Sequence, residues 1–291
     1  MPALTTLAPA KVNLFLHVGP LAADGYHPLS SLVAFADIGD RVSARPAEAL
    51  ALTLDGPFAG LIAGEPDNLV LRAVRALAGR RGLEPRLAFD LDKRLPVAAG
   101  LGGGSSDAGA ALRLARDLLT PDLDDAALTE LAAAIGADGP MCLFARPAWA
   151  EGRGDVLTPE PRLPPLPAVL VNPRVLAPTG AVYRAYDAGP PRTANRPEDP
   201  VDWSVVGLID WLRPLRNDLE LPAVALAPDI GAALAAVAAA PGIALSRMSG
   251  SGATVFGLCA DSDAAHAAAA RLAADHPDWW IQPTLLGDPL A

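Results

Sequence analysis

Near the start of the chain Val12, Leu14, Leu16 and Val18 alternate with Lys11, Asn13, Phe15 and His17. A period of two predicts a strand and sets Lys11 and Asn13 on one face of it. Further strands are expected at 31–36, 41–44, 50–54, 86–91, 169–171 and 254–258. Turns are expected at Asp24-Gly25-Tyr26-His27-Pro28 and at Gly39-Asp40. Elsewhere the apolar spacing changes to three and four. That predicts a helix from an Asp67 N-cap through Leu71, Val74 and Leu77 toward Gly79, and one with Ala108, Ala111, Leu112, Ala115 and Leu118 on one face. A third spans Asp122 to Ile135, and a short apolar helix follows Gly136-Ala137-Asp138-Gly139-Pro140. Later helices are expected after Thr179, near Val205 and Asp229, and from Asp263. Strands and helices mix without a regular βαβ series and without an internal repeat, which indicates an α+β fold. The Pro-dense stretch 159–167 has no helical period and marks a domain boundary just before it, giving units 1–156 and 157–291.

The 291 residues carry 23 basic and 33 acidic side chains, a net charge of −10, and are 51% hydrophobic. No basic face is left to neutralise a phosphate backbone, so nucleic-acid binding is excluded as a function class. The N-terminal segment has no basic residues ahead of an apolar core, and the Ala-rich stretch from Leu226 to Leu245 is broken by Pro228, Asp229 and Pro241. A cytoplasmic protein without a membrane partner is the expectation. Cys142 and Cys259 stand far apart, and His17, His27, His266 and His276 show no ligand spacing, so no metal-binding side chains are assigned. Composition adds one pointer to chemistry. Only Lys11 and Lys93 among the basic residues are lysines, the rest being arginines. A position that keeps Lys against such a bias is one that needs a compact ammonium.

The densest glycine run is Pro96-Val97-Ala98-Ala99-Gly100-Leu101-Gly102-Gly103-Gly104-Ser105-Ser106, set between an expected strand and an expected helix. Glycines let backbone N–H groups turn toward a ligand, and the helix behind adds its positive end, so the run suits a phosphate. It is not the G-x-x-x-x-G-K-[ST] loop, because neither lysine follows a glycine. It is not G-x-G-x-x-G either: the sixth residue from Gly100 is Ser105 and from Gly102 is Asp107. H-R-D, D-F-G and G-x-S-x-G are absent.

Three segments, Pro9-Ala10-Lys11, Pro96 to Ser106 and Ser249-Gly250-Ser251-Gly252, resemble the GHMP kinases. Ala8 to Leu16, Asp24 to His27, Asp92 to Pro96 and Gly136-Ala137-Asp138 with Pro140 are similar to the branch of that family acting on a cytidine-diphosphate-linked methylerythritol. The resemblance runs in order along nearly the whole chain. It implies an N-terminal ATP-binding domain, a C-terminal ferredoxin-like α+β domain and an active site in the cleft between them. The implied reaction moves the ATP γ-phosphate to the substrate's 2-hydroxyl, in the non-mevalonate isoprenoid route. Asp138 would then be the base and Lys11 its charged partner. ATP would lie along Pro96 to Ser106 with Asn68 and Lys93 near the adenine, and Mg²⁺ would accompany it without an assigned protein ligand. Asn13 would position the methylerythritol, Tyr26, His27 and Tyr183 would hold the cytosine, and Thr179 would stand beside them.

Taken singly, Lys11 also reads as a strand-edge charge and Asp138 as a helix N-cap before Pro140. The chain departs from the family pattern at Ala98 and Ala99, where glycines are expected, at Asp107, where Asn is common, and at Gly139, which is expected to loosen the backbone after Asp138. Other readings are a GHMP kinase acting on mevalonate, homoserine or a sugar, and a non-catalytic ATP-binding sensor. Oligomeric state is not assigned.

Overall fold

The computed structural model describes residues 3–64 and 67–290. The first half contains β1 (Leu4–Asn13), β2 (His17–Val18), β3 (Leu29–Pro46), β4 (Ala51–Asp55), α1 (Leu69–Arg80), β5 (Leu87–Asp92), α2 (Gly103–Leu119), α3 (Asp125–Ile135), α4 (Gly139–Phe144), β6 (Ala148–Gly152) and β7 (Val156–Pro159). The second half contains β8 (Leu166–Asn172), α5 (Thr179–Asp187), α6 (Val205–Leu212), α7 (Glu220–Leu226), α8 (Pro228–Ala239), β9 (Ile243–Met248), β10 (Val255–Cys259), α9 (Ser262–Asp275) and β11 (Trp280–Gly287). Among the described residues no helix is long and apolar enough to cross a membrane.

One 11-stranded sheet runs through both halves in the order β4-β5-β3-β11-β8-β10-β9, with β1, β2 and β6 paired to β3 and β7 paired to β6. Among the described strands only β4 and β5 pair in parallel. The second half reads β8-helix-β9-β10-α9-β11, and its strands lie in the order β11-β8-β10-β9. This is the split βαβ arrangement of a ferredoxin-like unit, as expected. The class is α+β.

The core falls into separate clusters that the helices cover. Helices α1, α2 and α3 bury Val74, Leu77, Leu112, Leu114 and Leu128 against Val42, Leu87, Phe89 and Leu91 of the sheet. A second cluster joins Phe15, Leu32 and Trp149 to Leu208, Leu212 and Phe256, and so spans the two halves. Buried Arg247 reinforces that span: its guanidinium donates to the carbonyls of Leu14 (2.7 Å), Leu212 (2.9 Å) and Leu215 (2.6 Å). Burial pulls its pKa down to about 10, with Glu220 opposing the shift.

Several expectations change. Gly39-Asp40 is not a turn but lies inside the 18-residue β3. Glycine is required there because β1 passes so closely that a Cβ on Gly39 would lie 2.2 Å from the Ala8 carbonyl oxygen. The expected strand from Val12 to Val18 is broken after Asn13, although every residue in it is buried. The cap of α1 is Asn68 and not Asp67; its side chain accepts from the Val70 N–H. Strands β6, β7, β9 and β11, and helix α7, were not foreseen. The boundary expected between 156 and 157 falls just inside β7, which pairs with β6.

Replacing Arg247 with Met removes the side-chain donor from three carbonyls, of which that of Leu212 keeps the Leu215 N–H at 3.0 Å. The expected cost is about 3 kcal/mol in urea unfolding, and a loss under about 1 kcal/mol would refute the role given to this residue.

Candidate active site

Pairing of β1 with β3 runs to Pro9↔Gly39 and resumes at Lys11↔Phe35, so β3 carries extra residues opposite Ala10. Irregularities of this kind re-aim a side chain, and the side chain here is Lys11. Its backbone N–H donates to the Leu101 carbonyl at 2.8 Å, tying the strand to the glycine loop. Its ammonium lies 3.1 Å from Asn13 Oδ1 and 3.2 Å from Asp138 Oδ2. Asn13 is oriented by its amide bond to Ser31 Oγ (2.8 Å), and Ser31 in turn donates to the Phe15 carbonyl. Lys11 is buried, whereas Asp138 is 39% exposed at its side chain and opens into a cavity.

Asp138 stands at the cap position of α4, but its side chain bonds no N–H of that helix. The plain N-cap role is therefore not the one it fills. The expectation that Gly139 loosens the chain is corrected as well. A Cβ there would lie 2.0 Å from the Ala132 carbonyl oxygen, so Gly139 lets α4 start hard against the end of α3 and fixes where Asp138 stands.

The cavity measures about 830 Å³, and its wall includes Asn68, Lys93, Pro96 to Gly100 and Gly102 to Ser105. Gly100 (φ +74°) and Gly102 (φ +62°) take left-handed conformations, as does Ala98 (φ +53°), where a glycine would sit without strain. A Cβ on Gly100 would lie 2.4 Å from the Ser249 carbonyl oxygen. Across that contact Ser249 Oγ donates to the Gly100 carbonyl at 3.0 Å, and Thr254 N–H donates to the Ala99 carbonyl at 3.1 Å. Helix α2 begins at Gly103 with Gly102 as its cap and no side chain on its first N–H groups. Uncapped N–H groups and the helix dipole make this end an anion site. Leu101 and Ser106 do not reach the cavity; both are buried.

Beneath the loop Lys93 is buried between two carboxyl groups, its ammonium 2.5 Å from Asp40 Oδ2 and 2.7 Å from Asp107 Oδ2. Asp40 Oδ1 also accepts from the backbone N–H groups of Arg94 and Leu95. A Cβ on Gly103 would lie 3.1 Å from Lys93 Nζ, so the ammonium abuts the first turn of α2. Asp107, which looked like an unwelcome charge beside a phosphate, faces Lys93 and is sealed from solvent. Burial pushes its carboxyl up to about 8, with Asp40 adding to the shift and Lys93 opposing it. Lys93 lines the cavity as expected, yet its charge is already engaged by these two partners.

At the far end of the cavity Tyr26 is 53% exposed, with the Arg153 guanidinium 4.4 Å from its ring centre. Tyr183 and His27 pack with ring centres 5.0 Å apart. Burial, followed by the charge of Asp138, pushes the Tyr183 hydroxyl up to about 12, so it stays neutral. Thr179 at the start of α5 shares a hydrogen bond of 2.9 Å with Ser251, and both line the cavity. Asn68 lines it too, with its side-chain oxygen committed to capping α1.

All the expected site residues except Leu101 and Ser106 thus share one cavity. Sequence reasoning missed Asp40, Ser31, Asp187 and Asn217; the amide of Asn217 donates to the carbonyls of Met248 and Gly250 and holds the Ser249–Gly252 turn. No local pattern marks these four, because each works through a partner distant in sequence. Among the described residues no cluster of three or more His, Cys, Asp or Glu could hold a metal ion.

Two family descriptions match the chain: GHMP kinases N terminal domain over residues 68–146 and GHMP kinases C terminal over 207–278. The chain is 52% identical over 290 residues to the 4-diphosphocytidyl-2-C-methyl-D-erythritol kinase of Caulobacter sp. (strain K31), covering 98% of this chain and 99% of that one. It is 52% identical over 291 residues to the protein of that name from Methylobacterium radiotolerans, covering 98% of this chain and all of that one (100%). Among solved structures, a 4-(cytidine 5'-diphospho)-2C-methyl-D-erythritol kinase superposes with TM-score 0.80 at 36% identity, covering 98% of this chain and 99% of that one. The homoserine kinase of Cytophaga hutchinsonii shares the fold, with TM-score 0.70 at 17% identity over 99% of this chain and 96% of that one.

Two outcomes are expected from this geometry. Asp107 holds a proton in the folded chain up to about pH 8 and, when unfolded, only to the ordinary carboxylate range near 3.8. Its contribution to stability is complete below that range and is lost as pH rises through about 8. The melting temperature of the wild type should therefore fall between about pH 4 and 8 more than that of Asp107→Asn, and parallel profiles would refute the assignment. Gly139→Ala should displace the start of α4, lowering stability by about 2 kcal/mol in urea and kcat about tenfold or more, since a methyl has no room there. A variant as stable and active as the wild type would show that the contact yields.

Proposed function

The chain belongs to the GHMP kinases, among the 4-diphosphocytidyl-2-C-methyl-D-erythritol kinases, and from that membership we propose that it transfers the γ-phosphate of ATP to the 2-hydroxyl of 4-diphosphocytidyl-2-C-methyl-D-erythritol, a step of isoprenoid biosynthesis. The observation that carries the mechanism is the 3.2 Å pairing of Lys11 Nζ with Asp138 Oδ2 on a cavity wall shared with the glycine loop and the aromatic cluster. An alcohol is a weak nucleophile. Asp138 accepts its proton as the oxygen attacks the γ-phosphorus, the bond to the β-phosphate oxygen breaks, and ADP leaves. The Lys11 ammonium offsets charge developing on the transferring oxygens. Asn13 and Ser31 keep that ammonium in place and so act through Lys11.

The nucleotide phosphates suit the uncapped start of α2, where Gly102, Gly103, Gly104 and Ser105 line the cavity. Mg²⁺ would arrive with ATP and neutralise phosphate charge. No protein ligand is assigned to it; phosphates and water would make up its shell. Tyr26 and Tyr183 offer ring faces for the cytosine, with Thr179 beside them.

Phosphate transfer from ATP and Mg²⁺ should occur to the cytidyl-diphospho-methylerythritol and not to mevalonate, homoserine or galactose. Turnover of one of the other alcohols instead would replace the substrate and keep the chemistry; ATP binding without any transfer would favour a sensor. Asp138→Asn should bind ATP as before while kcat falls by about 10² or more. Unchanged turnover in that variant removes Asp138 from the mechanism.

A further inference from the structure

Asn217 forms a β-bridge with Leu16 just before α7, and it is buried without lining the cavity. Its side-chain oxygen accepts from the Leu219 N–H at 2.9 Å, and its amide donates to the carbonyls of Met248 and Gly250, each at 2.8 Å. The two carbonyls do not depend on it equally. Met248 ends β9, is paired with Val255 of β10, and is also held through its N–H by Glu220 Oε2 at 2.8 Å. Gly250 lies beyond the strand, buried and left-handed at φ +55°. Among the described residues its carbonyl has no donor but Asn217.

What leans on Gly250 is the glycine loop. A Cβ on Gly250 would lie 3.0 Å from the Gly100 carbonyl oxygen and 3.5 Å from Asn13 Oδ1, and one on Gly100 would lie 2.9 Å from the Gly252 nitrogen. The turn thus packs directly behind Gly100, with no side chain to take up a shift. A buried carbonyl deprived of its donor carries a desolvation cost that the chain escapes by moving or by admitting water. Either response displaces Gly250, and the loop in front of it follows. We propose that Asn217 is a positioning residue for the phosphate-binding loop: it touches no ligand, and by fixing Gly250 it sets the backbone at Gly100 and the direction of the N–H groups beyond it. This rests on the reading above in which the nucleotide's phosphates take the start of α2. The adenosine part, expected beside Asn68 at the cap of α1, lies outside its reach.

The test measures the dissociation constants of a non-hydrolysable ATP analogue with Mg²⁺ and of adenosine, for the wild type, Asn217→Asp and Asn217→Ala, with folding checked by circular dichroism. Asn217→Asp keeps the shape and the acceptor for Leu219 but has at most one hydrogen where the amide has two. It should bind the ATP analogue about tenfold or more weakly and adenosine within about twofold of the wild type. Asn217→Ala should weaken the analogue by about threefold or more, again sparing adenosine. A merely structural role would weaken both ligands or neither, and either result overturns the proposal. Should Asn217→Asp not fold, Asn217→Ala decides by the same comparison. A wild type that binds the analogue but does not phosphorylate the cytidine compound overturns the reaction proposed above, while the two affinities still decide on Asn217. A wild type that binds adenosine as tightly as the analogue overturns the phosphate reading of the loop and this proposal with it.

Discussion

The site depends on a place where three distant stretches of backbone come together with the Ser249 hydroxyl between them. Residues 11–13 of the first strand, 99–102 of the glycine loop and 249–254 of the late turn are joined by Lys11 N–H to Leu101, Thr254 N–H to Ala99, Ser249 Oγ to Gly100 and Asn13 N–H to Ser249 Oγ. The approach leaves no room for a Cβ at Gly100. This seam puts the ammonium of Lys11, the uncapped start of α2 and the wall of the second half within one cavity. A phosphate-binding loop built this way is held from both sides, so its N–H groups are oriented before any ligand arrives, which is the condition for electrostatic stabilisation at low reorganisation cost.

Charge is handled in two layers. At the surface of the cavity Lys11 and Asp138 form a pair open enough to exchange protons with a substrate. One layer deeper, Lys93 lies between Asp40 and Asp107, out of solvent. A buried cation between two carboxyl groups is held by geometry rather than by net gain, since desolvation consumes much of the Coulomb energy. Its effect is positional: β3, the end of β5 and the first turn of α2 are locked to one another beneath the glycine loop. A guanidinium is broader than the ammonium that fits against Gly103, which accounts for lysine at this position in a chain otherwise rich in arginine.

The sequence made legible what is local. The run of glycines, the strand carrying Lys11 and Asn13, and the helix behind the loop could all be placed because each is encoded within a few consecutive residues. The retention of just two lysines was informative too, as both sit in the site with carboxylate partners. What stayed hidden depends on partners far along the chain. Gly39-Asp40 has the composition of a turn, but its glycine serves a close strand crossing and its aspartate serves Lys93. Strand β11, with Trp280, Ile281, Thr284 and Leu286, lacks clean alternation because it is paired on both edges. Gly139 appeared to loosen the chain when in fact it permits a tight contact. Asp187 carries no local signature.

The position of β11 has a consequence for how the chain is made. It is the last strand in sequence among the described residues, yet it lies in the interior of the sheet, between β3 and β8. A nascent chain emerging from the ribosome therefore presents two unfinished strand edges until β11 has been synthesised. Unpaired edges of this kind recruit other chains. Arrival of β11 is what turns two partial sheets into one.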